Sequence, residues 1–161
     1  MKVDLWVRKS PVPVEVVTFD DSVLLGDVFL AGNERVIDSI NSEQDFFPFR
    51  TEDGEFQIIH KSTVARIRPI EDGRPAKVTT RMDMAPVELL TRDGKVLCGN
   101  VFLSNRERVS DVFNTQWLFV PLEMEGGELL IINKNTVVRV KPIEHDVREE
   151  EHISHRQNAA D

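Results

Sequence analysis

The sequence predicts an all-β protein built from two tandem five-stranded modules, each a small barrel with a short helical turn. Three observations lead there. The stretch Val14 to Glu71 recurs without a gap as Val87 to Glu144, a shift of 73 positions that leaves 29 of 58 residues identical. Within each copy, short apolar runs rich in Val, Ile and Phe alternate with turn residues at the spacing of strands. One segment per copy, Glu34 to Asn41 and Glu107 to Asn114, carries helical spacing instead.

The elements follow in chain order. Lys2 to Lys9 alternates (Val3, Leu5, Val7 against Asp4, Trp6, Arg8) before Pro11, which predicts a short lead-in strand. It has a weak echo at Lys77 to Met82; under the same shift Arg8 meets Arg81 and Pro13 meets Pro86, so the repeat unit includes the lead-in. Val14 to Phe19 and Val23 to Leu30 form a hairpin around Asp20-Asp21, replaced by the stronger turn pair Asp93-Gly94 in the second copy. Gly26 and Gly99 fall inside the second strand of each copy and predict a bulge or sharp bend. In Glu34 to Asn41, Val36 and Ile40 are spaced i, i+4, Arg35 and Asp38 i, i+3, and Asn41 ends one or two helical turns. Phe46 to Arg50, Phe56 to His60 and Val64 to Pro69 complete the module, with the proline ending the last strand. Closing five such strands into a barrel removes the exposed sheet edges.

The expected division is residues 1–72 for the first module, 73–145 for the second and 146–161 for a polar tail too poor in apolar residues to fold by itself. A unit of this size lies near the lower limit for independent folding, so the two modules are expected to share an interface. With 40% apolar and 30% charged residues the composition is that of a globular protein, and no apolar run approaches the ~20 residues of a membrane helix. The N-terminus lacks the apolar centre of a signal peptide, which points to a cytoplasmic protein with no membrane partner. A net charge of −8 argues against a polyanion as the main ligand, since phosphate binding draws on Lys and Arg. Six acids against Arg148 and Arg156 after Ile143 mean that the modules themselves are closer to neutral. Cys98 aligns with Leu25 and reads as a core thiol.

The two copies also display which positions the module retained. The apolar set (Val23/Val96, Leu24/Leu97, Val28/Val101, Phe29/Phe102, Leu30/Leu103, Phe46/Phe119, Ile58/Ile131, Ile59/Ile132, Val64/Val137) is what a shared core requires. The retained polar residues supply the candidate site: Arg35, Asp38, Asn41 and Lys61 in the first copy, and Arg108, Asp111, Asn114 and Lys134 in the second. Two readings stand for the first three of each set, an ion-paired helical turn whose asparagine caps a loop, or contact with a ligand. Two stand for the lysines, with Arg66 and Arg139: a basic rim, or charges that guard a strand edge. His145, His152 and His155 with Glu149 to Glu151 carry metal-binding atoms, but nothing holds them in one geometry, so no metal or cofactor is expected. There is no nucleophile-base motif and no phosphate-cradling glycine loop, and His60 becomes Asn133 in the second copy; the expectation is a protein without enzymatic activity.

The order of these signals resembles the Sm-like (Lsm) branch of the SH3-type barrels. In the second copy Asp93-Gly94 precedes an apolar strand centred on Gly99, then come Asp111 and Asn114, and later the run Leu129 to Val140 interrupted by Lys134. The resemblance covers both modules, 116 of 161 residues (twice 58). It implies two Sm-like barrels, and a uracil pocket formed by an Asp, an Asn and an Arg-Gly pair. Here two residues instead of three separate Asp111 from Asn114, and Asp38 from Asn41; Lys134-Asn135 and Lys61-Ser62 stand in place of Arg-Gly; and Ile40 gives no stacking ring. A bacterial family with tandem Sm-like halves is the nearer resemblance. The functional expectation is an interaction or scaffold protein with a protein partner. The alternatives are an Sm-like RNA-binding protein assembling rings through barrel edges as a homo-oligomer, and a sensor of a small ligand held near Asp38 and Asp111.

Overall fold

The structure is a computed structural model and describes residues 8–143. The first module comprises β1 (Lys9–Thr18), β2 (Val23–Ala31), α1 (Val36–Ile40), β3 (Phe46–Thr51), β4 (Phe56–His60) and β5 (Val64–Glu71). A two-residue strand β6 (Arg74–Pro75) leads to the second: β7 (Asp83–Thr91), β8 (Val96–Leu103), α2 (Val109–Phe113), β9 (Phe119–Glu123), β10 (Leu129–Asn133) and β11 (Val137–Pro142). The repeat in sequence is therefore a repeat in structure, element for element. No helix among the described residues is long and apolar enough to cross a membrane.

All-β is the observed class, but the two closed five-stranded barrels are not observed. The strands form one antiparallel sheet in the order β11-β7-β8-β9-β10-β5-β1-β2-β3-β4, with β6 beside β5. Each module contributes the same internal order, β4-β3-β2-β1-β5 and β10-β9-β8-β7-β11. Closure would require β5 to reach β4. Instead β5 pairs with β10 of the other module, Ile131 opposite Ile67 and Ile132 opposite Arg66. Pairing across the modules satisfies part of the same row of backbone groups that closure would satisfy, and it brings apolar surface from both modules together. Among the described residues the sheet is consequently left with two open edges, β4 at one end and β11 at the other.

The core has two parts. One gathers Val14, Val16, Val28, Phe47, Phe49, Val64 and Ile67 of the first module, and it also takes in Phe119 and Ile131 of the second. The other packs Val87, Leu89, Val101, Val112, Leu122 and Ile132. The second module thus lends side chains to the first, as the small size of each unit leads one to expect.

Some local expectations change. Of the lead-in strand predicted over Lys2 to Lys9, residues 2–7 lie outside the described residues; β1 begins at Lys9 and runs through Pro11. Pro11 and Pro13 are tolerated because β1 pairs with β2 along Lys9 to Val17 but with β5 only from Val14 onward. Two residues apart, both prolines direct their missing N–H to the same, unpaired side. Val23 and Val96 are 57% and 55% exposed, so these retained valines lie outside the core. Cys98 is exposed like its counterpart Leu25, which corrects the reading of a core thiol. Pro69 lies within β5 and not at its end, because β5 continues to Glu71 to pair with β6.

Gly26 marks a close approach rather than a bulge. The β1–β2 register runs through it unbroken, and β3 crosses β2 from this residue onward. A Cβ added there would lie 2.1 Å from the Arg50 carbonyl oxygen and 2.7 Å from Phe49 Cζ; at Gly99 the nearest atom, the Glu123 carbonyl oxygen, is 2.8 Å away. Gly26→Ala is expected to cost about 3 kcal/mol and Gly99→Ala about 1 kcal/mol by the usual scale of overpacking. Urea unfolding of the two variants measures both, and equal losses would contradict the difference in clearance.

Candidate functional site at the module junction

The helical turn α1 is built by its polar neighbours. Asp38 accepts hydrogen bonds from the Arg35 backbone N–H (3.0 Å), from Arg35 Nε (3.0 Å) and from the second guanidinium nitrogen (3.0 Å). This satisfies an otherwise free donor at the start of the helix and closes the first turn. Glu34 Oε1 accepts from the Ala31 N–H at 3.2 Å. The second copy repeats the device: Asp111 accepts from the Arg108 N–H at 2.8 Å, and Glu107 Oε1 from the Ser104 N–H at 3.0 Å. The Arg35 hydrogen bond is the main reason that the Asp38 carboxyl titrates below its ordinary value of 3.8, against a smaller opposing effect of burial. Arg35 is raised by the same bond.

Asn41 has a different task. Its Nδ2 donates to the Phe119 carbonyl at 3.0 Å, and its Oδ1 accepts from the Phe119 N–H at 2.9 Å. A single side chain of the first module thus pairs with both backbone groups of one residue in the second. Phe119 itself is buried in the first core. Asn133 works alongside it: fully buried, it donates from Nδ2 to the Val64 carbonyl at 2.9 Å and accepts from the Asn135 N–H at 2.8 Å.

Neither lysine forms a basic rim. Lys61 is buried and donates to the Ser42 carbonyl (3.0 Å) and Ser42 Oγ (2.9 Å). Lys134 Nζ donates to the Thr115 carbonyl. Burial lowers the pKa of both amines from 10.5, with Asp45 acting in the opposite direction on Lys61. In each copy the lysine ties the 3-10 turn after β4 or β10 to the loop after the helix.

Beside this clasp lies a cleft of about 750 Å³ between α1, the connector and β9. Arg35, Asp38 and Asn41 line it; Arg108, Asp111, Asn114, Lys61 and Lys134 do not. Its apolar surface combines Phe102 and Phe119 of the retained set with residues the repeat did not single out, among them Ile37, Met82, Trp117 and Leu129. Trp117 is 47% exposed and stands where the first copy has Gln44, so its signal in the sequence was a departure from the repeat. The pairs of retained residues are thus split, one set at the junction and the other on an unpartnered module. His145, His152 and His155 lie outside the described residues.

Comparison with family models, with curated proteins and with solved structures returned no match for this chain.

Two outcomes follow from the geometry. Asn41→Ala leaves the Phe119 N–H and carbonyl without their partner inside the junction and is expected to cost about 1–3 kcal/mol, read by urea unfolding. Asp38→Asn is expected to cost up to about 1 kcal/mol at neutral pH, a figure kept small because the ion pair is partly solvated. The sign with pH is fixed by the lowered carboxyl: its contribution is complete above 3.8 and disappears as pH falls through the folded-state value. Stabilities of wild type and Asp38→Asn, measured as a function of pH, should therefore converge only in acid.

Proposed function

We propose that the protein is a non-enzymatic interaction protein of the bacterial cytoplasm, a scaffold of two Sm-like halves that presents its sheet edges to a protein partner. The observation that carries this reading is apolar exposure at an open edge. Phe46 on β3 and Phe56 and Ile58 on β4 are 49%, 60% and 64% exposed, and β4 has one strand neighbour among the described residues. Proteins commonly protect an open edge with lysine, proline or a bulge. Strand β4, with sequence Phe-Gln-Ile-Ile-His, has none of these. Unpaired backbone groups flanked by exposed apolar side chains are the surface to which a partner strand adds, hydrogen bonds giving affinity and side-chain pockets specificity. The polar residues retained in both copies support the same reading, because all of the candidate set but Asn114 are engaged in helical turns, loop ties or the junction.

A second reading, a sensor of a small ligand, is favoured by the cleft beside Asp38, which has the size and the apolar lining of ligand pockets. The RNA reading has less support, since Lys61 and Lys134, its expected phosphate contacts, donate to backbone carbonyls.

Gel filtration of the tagged chain in lysate of its own cells, with and without ribonuclease, separates the three. The interaction reading expects elution well above the size of one chain, resistance to ribonuclease, and return to single-chain size for Ile58→Asp. A complex dissolved by ribonuclease would favour RNA. Elution as a single chain, with thermal stabilisation by a metabolite, would favour the sensor.

A further inference from the structure

We propose that copies of this chain assemble head to tail, β4 of one copy pairing antiparallel with β11 of the next, in the arrangement that joins β10 to β5 inside every chain. This rests on the interaction reading above and names its partner as a second copy.

The argument comes from the repeat. Because the two modules are related by a shift of 73 residues, the β10–β5 junction has a counterpart in which β4 takes the place of β10 and β11 that of β5. These are the two strands left at the edges. The register Ile131 opposite Ile67 and Ile132 opposite Arg66 becomes Ile58 opposite Val140 and Ile59 opposite Arg139, and continuing it sets His60 opposite Val138.

The exposed side chains are those the junction would cover. Phe119 and Ile131 are 1% and 0% exposed at the internal junction, whereas their counterparts Phe46 and Ile58, identical residues, are 49% and 64% exposed. On the other side, Val64 and Ile67 are fully buried, and their counterparts Val137 and Val140 are only partly covered. Identical residues with opposite burial are explained if the second environment is supplied by another molecule.

The polar groups agree. Asn114, counterpart of Asn41, makes no side-chain hydrogen bond among the described residues, and its place on the second module is the one from which Asn41 holds Phe119. In the next copy it would meet both backbone groups of Phe46. His60 stands where Asn133 stands, and its Nδ1 already accepts from the Ser62 N–H at 3.1 Å, just as Asn133 Oδ1 accepts from Asn135. An imidazole accepting at Nδ1 carries its proton on Nε2 when neutral, which supplies the donor that Asn133 Nδ2 directs at Val64. That donor would reach the Val137 carbonyl of the next copy.

A contact between two different surfaces of the same molecule is heterologous, so repetition gives either a closed ring or an open filament. The test is the mass of the purified full chain by light scattering over a dilution series, with Ile58→Asp to block β4 and Val138→Asp to block β11. Both positions are more than half exposed in the single chain, so the variants are expected to fold, as circular dichroism checks. Wild type is expected at a multiple of 18.4 kDa, constant on dilution for a ring and falling for a filament. Each variant alone should have the mass of one chain. Their equimolar mixture should form a two-chain species, because one supplies an intact β4 and the other an intact β11. His60→Asn should retain assembly and Asn114→Ala should weaken it at least tenfold. Wild type remaining a single chain at every concentration would overturn the proposal; if the lysate complex still collapsed with Ile58→Asp, the interaction reading would survive with a different partner. Loss of assembly in Ile58→Asp but not in Val138→Asp would also overturn it, pointing to pairing of β4 with itself.

Discussion

The β5–β10 junction is the constraint from which the rest of the structure follows. A five-stranded unit of this size buries too little to be secure alone, and its two edge strands carry backbone groups that need partners. Pairing β5 with β10 answers both needs together. It extends the sheet across the module boundary and places Phe119 and Ile131 in a core that the first module only partly fills. Asn41 and Asn133 then bring buried backbone groups at the boundary to satisfaction, which fixes the register more strictly than apolar contact could.

Fixing that junction divides a symmetric sequence into asymmetric environments. The same residue type at equivalent places is a core side chain in one module and a surface side chain in the other, as with Ile131 and Ile58 or Phe119 and Phe46. Duplication accordingly produced more than two independent copies. It produced one internal joint, one pair of equivalent strands without a strand neighbour on their outer side among the described residues, and a cleft beside the joint whose Trp117 and Met82 have no counterpart of the same type in the first copy.

Most of the secondary structure was legible in the sequence because each element is signalled locally. Asp93-Gly94, the i, i+4 pair Val36 and Ile40, and the apolar run at β4 determine their own neighbourhoods, and the observed elements match them closely. The ion pair of Asp38 with Arg35 was likewise visible in their spacing, whereas the bond that Asp38 accepts from the Arg35 N–H was not. Closure was not legible. Whether β5 meets β4 or β10 depends on a comparison between two distant partners with similar sequences, Ile-Ile-His against Ile-Ile-Asn, and periodicity is the same for either. Exposure of Val23 and Val96 escapes for a related reason: a repeated surface is retained in the same way as a repeated core, so retention does not imply burial, and Cys98 escapes because Leu25, with which it aligns, is itself exposed. Trp117 escapes because its counterpart is Gln44, so the repeat carries no signal at that position.

The order in which the core is filled carries a consequence for synthesis. Chains emerge from the ribosome N-terminal end first, at a pace that separates β5 from β10 by seconds. Through that interval the first module has all its own strands but lacks Phe119 and Ile131, and the stretch of β5 around Arg66 and Ile67 lacks the neighbour that β10 will supply. The nascent first half is therefore held incomplete by the very duplication that later completes it.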